Sequence, residues 1–146
     1  MLSLKLLKED IYSKWNEEQW IIKEKDYSAF HVVDGQQRLT TFIILVSSII
    51  KFAAKNNIEY LNGDDLDEIK SRYIVEYKKP FKINKAFKFG YEVDNPSFEF
   101  LRYYIFGEGQ TGSLQETFYT LNLENAKKFF DDNIESLFKE KGLEGL

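Results

Sequence analysis

The run DGQQR at residues 34–38, followed by Thr40 and Thr41, holds the side chains with the clearest chemical potential. Arg38 offers a fixed pair of N–H donors that suits a phosphate group. Gly35 has no Cβ, so a ligand can approach the backbone closely. If a helix begins here, its first N–H groups and the positive end of its dipole also favour an anion. The residue types therefore predict an anion site with two hydroxyls beside it.

The flanking sequence predicts a strand, a tight turn and a helix. Residues 29–33 are β-branched and aromatic, which is typical of a strand. From Gln36 to about Lys55, apolar residues recur at spacings of three and four, which predicts a buried central helix. Asp34 stands where an N-cap belongs, and Gln37 could reach back to it as in a capping box. Capping alone could account for Asp34, so the residue types do not by themselves name a ligand.

The polar residues of this helix are expected to form a narrow stripe facing water, at positions 37, 41 and 48, flanked by positions 36, 40, 47 and 51. The whole chain predicts an α+β fold in a single domain, residues 1–146. Residues 2–7, 19–23 and 29–33 predict a three-stranded antiparallel meander packed on the central helix. Further elements are expected as a short helix after residue 65, strands at 72–77 and 82–92, and helices at 96–106 and from 122 or 123 to about 141.

Composition excludes several classes of protein. The 146 residues include no cysteine and one histidine, so disulfide scaffolds, structural zinc sites and cysteine nucleophiles are excluded. The net charge of −4 argues against a surface that binds DNA indiscriminately. No apolar run approaches the ~20 residues of a membrane span. We expect a cytoplasmic protein with no membrane partner.

The string DGQQRLTT at residues 34–41, preceded by FHVV at 30–33, resembles the signature of the GmrSD-type restriction endonuclease N-terminal domain. The patches at 88–98 and 121–130 also look like this family. The resemblance implies a ParB/sulfiredoxin-like core in a type IV restriction or phage-defence protein that acts on modified DNA. In that family, nucleotide binding and hydrolysis at the DGQQR motif control DNA cleavage, which implies a nucleoside triphosphate with Mg²⁺ as the cofactor.

Carried onto this sequence, the resemblance implies a set of site residues. Those expected to be catalytic are Asp34, Gln36, Gln37 and Arg38. Those expected to bind nucleotide are Gly35, Arg38, Thr40 and Thr41. Arg38 would balance phosphate charge, Asp34 would hold Mg²⁺ or a water molecule, and the two glutamines would orient water or ligand oxygens.

The sequence departs from the family pattern at both ends. An upstream strand with an IPxYQRxYxW-like segment is usual in the family, and DNA-cleaving members often carry a C-terminal His-Asn-His nuclease domain. Neither is in this sequence. We therefore expect a fragment, inactive as a nuclease on its own, that reaches DNA through a full-length protein with a nuclease domain or subunit. We also expect that a homodimer could cover the sheet edge left by the missing strand.

A second stretch interleaves lysines with aromatic residues. Lys79, Lys82 and Lys85 could lie along a DNA backbone while the aromatic rings stack on bases. A hairpin with one apolar face and one solvated lysine face would give the same pattern. The alternative function for the whole chain is a non-catalytic DNA- or protein-interaction module that uses the surface of a ParB-like fold.

Overall fold

A two-stranded ribbon leads directly into a long helix. The computed structural model describes residues 1–79, 84–92, 94–108 and 117–145. Strand β1 (Ser3–Leu6) pairs antiparallel with β2 (Phe30–Asp34), and the short helices α1 (Glu9–Tyr12) and α2 (Gln19–Lys25) separate them in sequence. This mixture of helices and antiparallel strand pairs confirms the α+β class.

The predicted meander was wrong in its middle strand, because residues 19–25 form helix α2. A short apolar run cannot be distinguished from a buried helical segment by its pattern alone. Here Ile21 is buried, and the indole N–H of Trp20 donates to the carbonyl of Lys85 at 3.0 Å. The segment thus packs against a distant strand instead of pairing with β1 or β2.

Helix α3 (Gln36–Lys55) has the predicted bounds and organises the core. One buried cluster joins it to the antiparallel strands Val75–Tyr77 and Lys85–Phe87, which we call the hairpin. This cluster comprises Ile43, Ile50, Ile74, Val75 and Phe87. A second cluster joins it to a π-helical segment and comprises Ile44, Phe100, Leu101 and Ile105. Ile44 is completely buried. The middle of α3 is therefore packed on two sides.

The remaining elements follow α3 in order. They are β3 (Tyr60–Leu61), β4 (Asp64–Asp65), α4 (Leu66–Tyr73), β5 (Val75–Tyr77), β6 (Lys85–Phe87), α5 (Pro96–Glu99), the π-helical segment Phe100–Ile105, α6 (Phe118–Lys141) and a 3₁₀ turn, Gly142–Gly145. Strands β3 and β4 pair with each other, as do β5 and β6, both antiparallel. The expected loop at 107–113 lies outside the described residues from position 109 onward.

Caps fix where three of these helices begin. Asp65 accepts the N–H of Asp67 at 2.8 Å, and Asn95 accepts that of Ser97 at 2.9 Å ahead of Pro96. Helix α6 begins at Phe118 and not at 122 or 123, because Thr117 and Thr120 form a reciprocal capping box. The prediction followed the apolar pattern and overlooked this polar pair.

Part of the predicted polar stripe on α3 lies inside the protein. Thr40, Ser47 and Ser48 are buried, whereas Phe42 is 45% exposed. The Ser47 hydroxyl donates to the carbonyl of Ile105 at 2.9 Å, at the end of the π-helical segment. A small hydroxyl can be buried when a backbone carbonyl accepts its proton. The expectation that this whole stripe faces water was wrong for that reason.

Helix α3 is also the one helix in the described chain that is long and apolar enough to cross a membrane. Its most apolar 18-residue window has a mean hydropathy of 1.3 and is 39% buried. The core helix of a water-soluble protein has the same properties, and the buried isoleucines of α3 pack against the hairpin and the π-helical segment. The helix is thus weak support for a membrane span.

Candidate functional site

The corner between β2 and α3 is built around a glycine. Gly35 adopts a left-handed conformation with φ 87°, which glycine reaches without strain. A Cβ at this position would lie 2.9 Å from the Met1 carbonyl oxygen and 3.1 Å from Leu2 Cδ1. Both the backbone angle and the close approach of the N-terminal segment therefore require glycine. The turn allows the strand to pass directly into the helix.

Gly35 also replaces Asp34 as the N-cap, so the expected capping box was wrong. Asp34 is the last residue of β2 and pairs with Ser3, which holds its backbone in the strand one residue before the cap position. In the described chain, no helix N–H donates to its carboxylate. The Asp34 side chain is 62% exposed and lies 3.8 Å from Arg38.

The first turn of α3 presents its polar groups to solvent. Gln36, Gln37 and Arg38 are exposed, and the Arg38 side chain is 65% exposed. Within the helix the first N–H with a carbonyl partner is that of Leu39, which donates to Gly35 at 3.0 Å. The N–H groups before it are among those that a helix leaves without intrahelical acceptors. An anion placed here would meet these N–H groups and the positive end of the helix dipole.

Arg38 already has two contacts within the chain. Its guanidinium donates to the carbonyl of Met1 and forms the ion pair with Asp34. Both partners are exposed, and an exposed ion pair contributes little stability in water. A multiply charged anion could therefore replace the Asp34 contact at small energetic expense.

The two threonines have different environments. Thr40 is 1% exposed, and its hydroxyl donates to the carbonyl of Gln36 at 2.8 Å. That proton is its only one, so the Tyr91 hydroxyl, 2.6 Å away, must donate to Thr40. Thr41 is exposed and donates to the carbonyl of Gln37 at 2.8 Å. Thr40 thus anchors the start of the helix from inside, whereas Thr41 lies at its surface.

Tyr91 is a supporting residue that reasoning from the motif alone missed. Burial removes its hydroxyl from water and raises its pKa. The hydroxyl therefore stays neutral and can donate. The signal in the sequence was the patch KFGYE at 88–92, which the family resemblance singled out without giving it a role.

A cavity of about 300 Å³ adjoins the corner. It is lined by Met1, Leu2, Gly35, Arg38, Leu39 and Phe42. The lining is mostly apolar, with the arginine as its charged member. This cavity is open to solvent, and its volume is at the lower end of the roughly 300–1,000 Å³ that ligand pockets have. A larger cavity, about 450 Å³, lies between α2 and β6 and mixes acidic and basic side chains.

The chemistry of a Mg²⁺–nucleotide fits Asp34 in one respect. Mg²⁺ is often held by one or two carboxylates together with the substrate's phosphates. Asp34 is one exposed carboxylate beside an anion-favouring helix end. Among the described residues, no group of three or more acidic, cysteine or histidine side chains could hold a metal without such a ligand.

The lysines of the hairpin are largely engaged in ion pairs. Lys85 contacts Glu108, and Lys88 lies 2.6 Å from Glu76. Lys79 is exposed, and Lys82 lies outside the described residues. Ion pairing neutralises part of the positive charge of Lys85 and Lys88, and DNA binding by Lys79, Lys82 and Lys85 stays a prediction.

These features define an α+β protein in which two glutamines and an arginine are exposed at the start of a helix. The family model for the GmrSD restriction endonuclease, N-terminal domain, matches residues 6–141. The chain belongs to this family and is a restriction endonuclease-related module. No curated protein and no solved structure matches it.

Proposed function

We propose that this chain is the nucleotide-binding and nucleotide-hydrolysing module of a type IV restriction or phage-defence protein that acts on modified DNA. The observation that carries the proposal is the exposed first turn of α3, where Arg38 and two glutamines surround free helix N–H groups. A nucleoside triphosphate supplies the anion that this turn favours. The module would act in the cytoplasm with a nuclease domain or subunit that cleaves the DNA.

The apolar cavity supports a nucleotide over a simple anion. A nucleotide combines a flat aromatic base, whose faces can pack against apolar side chains, with a charged phosphate chain. The base would enter the cavity beside Leu39 and Phe42, and the phosphates would remain outside against Arg38. A free phosphate or sulfate would contact Arg38 and leave the cavity empty.

The residues of the corner would have different roles. Arg38 would leave Asp34 and bind the phosphates through its paired N–H donors. Asp34 would then be free to hold Mg²⁺, which, when bound, neutralises phosphate charge. Gln36 and Gln37 would orient the water that attacks the terminal phosphate. Gly35 allows the tight turn from β2 into α3, Thr41 lies within the exposed turn, and Thr40 holds the helix start in position.

Isothermal titration calorimetry with nucleoside triphosphates and Mg²⁺ tests this proposal. We expect Arg38→Ala to weaken binding roughly tenfold or more, because a charge-assisted hydrogen bond contributes about 1.5 kcal/mol or more. Arg72→Ala is the matched control, since Arg72 is an exposed arginine on α4 that pairs with Asp64. The control variant should bind as the unmodified chain does.

Two outcomes would contradict the proposal. One is a folded chain that binds no nucleotide with or without Mg²⁺. The other is an equal loss of affinity in the Arg38 and Arg72 variants, which would indicate a general charge effect. If nucleotide binds, release of inorganic phosphate that disappears in Gln36→Ala or Gln37→Ala would separate hydrolysis from binding.

A further inference from the structure

The β1–β2 ribbon carries apolar side chains on an exposed face. Leu4 is 50% and Leu6 62% exposed, and Phe30 on β2 is 45% exposed. The register sets Leu4 opposite Val32 and Leu6 opposite Phe30, so these side chains share one face. Such a face normally packs against a core. In the part of the chain that the structure describes, it remains open.

Among the described residues, no strand besides β2 pairs with β1, so the backbone groups on its outer edge have no strand partner there. The Leu7 N–H donates to the carbonyl of Ala29 at 2.9 Å, next to the facing pair Leu6 and Phe30. Antiparallel pairs alternate between residues that exchange hydrogen bonds and residues that do not. Lys5 therefore directs its backbone groups toward β2, and Leu4 and Leu6 direct theirs outward. An edge of this kind is a template for another strand.

The outer edge of β2 is less suitable for pairing. Ser3 faces Asp34 and Leu4 faces Val32, which leaves Val33 as an extra residue in a β-bulge. A bulge bends its strand and interrupts the pairing pattern. The helix α3 also begins two residues after Asp34. The open edge that can accept a strand is therefore that of β1.

We propose that a second copy of this chain pairs with β1, edge to edge and antiparallel, about a two-fold axis at Leu4. Leu4 then exchanges hydrogen bonds with Leu4 of the second copy, and Leu6 with Leu2 of the second copy. The two ribbons form one four-stranded sheet in which the leucines of both copies make a continuous apolar row. This inference does not depend on nucleotide binding.

The occupant is a second copy because the edge is complementary to itself in charge. A two-fold axis at Leu4 sets Lys5 opposite Ser3 of the second copy, and Asp34 lies beyond that serine on the same face. Neighbouring strands are roughly 4.8 Å apart, so the long lysine side chain can extend over the small serine toward the carboxylate. An axis at Lys5 would instead place two ammonium groups opposite each other, which is unfavourable.

Sedimentation velocity over a wide concentration range tests for the dimer. Leu4→Glu sets two carboxylates together at the axis, so we expect its dimer dissociation constant to rise at least tenfold. Val33→Glu is the matched control, because Val33 is an exposed apolar residue of the same ribbon away from the β1 edge. Circular dichroism checks that both variants fold. A chain that is monomeric throughout the range, or equal effects of the two variants, would overturn the proposal.

Cysteine cross-linking tests the position of the axis, since the chain has no cysteine of its own. An axis at Leu4 brings position 3 of one copy to about 4.5 Å, between Cα atoms, from position 5 of the other, which suits a disulfide. We expect a mixture of Ser3→Cys and Lys5→Cys chains to form disulfide-linked dimers under mild oxidation, far more than either variant alone. A mixture that does not cross-link, or Lys5→Cys chains that cross-link alone, would overturn the proposal.

Discussion

The first turn of α3 and its middle turns belong to one continuous helix but have opposite environments. The first turn exposes Gln36, Gln37 and Arg38, whereas Ile43 and Ile44 two turns later are almost fully buried. The middle turns contribute stability through burial of apolar area. The first turn contributes little to the core and leaves polar groups free for a ligand. The middle and the first turn of a single helix thus contribute unequally to stability.

The largest expected effect is in the middle of the helix. Ile44→Ala removes completely buried methyl groups and leaves a cavity, so we expect a loss of about 3 kcal/mol in the free energy of unfolding. Leu39→Ala, in the half-buried first turn, should cost about 1 kcal/mol. Urea denaturation measures both. Equal losses would mean that the first turn is packed as tightly as the middle.

The turn before the helix should respond next most strongly. Gly35→Ala introduces a left-handed alanine and a contact with the Met1 carbonyl, so we expect a loss of about 2 kcal/mol in the free energy of unfolding. Gly63→Ala has the same φ of 87° but nothing within 4 Å, and should cost about 1 kcal/mol. The difference in the free energy of unfolding between the two variants measures the cost of the contact with the N-terminal segment. No difference would show that this segment moves away freely.

The threonine pair gives a smaller and more local contrast. Thr40→Val keeps the volume but leaves the Tyr91 hydroxyl without its acceptor, so we expect a loss of about 1 kcal/mol. Thr41→Val, at the surface, should change stability by no more than about 0.5 kcal/mol. A double-mutant cycle with Tyr91→Phe should show coupling to Thr40 and not to Thr41. Coupling to neither would remove Tyr91 from the support of the site.

The smallest effect is on the pH dependence of stability, and it compares a buried with an exposed carboxylate. Burial of Glu76 would raise its pKa, but hydrogen bonds from Lys25 and Lys88 outweigh burial, so the pKa lies below its usual value. The resulting stabilisation is present above the unfolded pKa, about 4.3, and is lost as the pH falls through the folded value. Glu76→Gln should therefore flatten the fall in stability on acidification.

Asp34→Asn is the control for that measurement, because the ion pair between Asp34 and Arg38 is exposed and long. We expect it to change the pH dependence of stability very little. Thermal unfolding followed at several pH values below 6 compares the two variants. A larger effect from Asp34→Asn than from Glu76→Gln would contradict the conclusion that the ion pairs of Glu76 stabilise the fold more than that of Asp34.

Local signals predicted the elements that they control directly. The bounds of α3 follow from its apolar spacing, and the helix starts after Asp65 and Asn95 follow from their caps. The strand expected at 19–23 was wrong because a run of three apolar residues fits either a strand or a helix, and packing on β6 decided for the helix. The capping box at Asp34 was wrong because pairing with Ser3 competes for the same residue.

The sequence by itself determined the motif, the α+β class and the membership of a restriction endonuclease-related family, since residue order and apolar periodicity are local properties. Tertiary structure decided which polar residues are exposed to solvent. Thr40 and Ser47 were turned inward because a tyrosine hydroxyl and a backbone carbonyl met them from distant segments. Likewise, the leucines of β1 were left outside because no described segment packs over that ribbon. Contacts between residues far apart in sequence carry no local pattern, so only the folded chain reveals them.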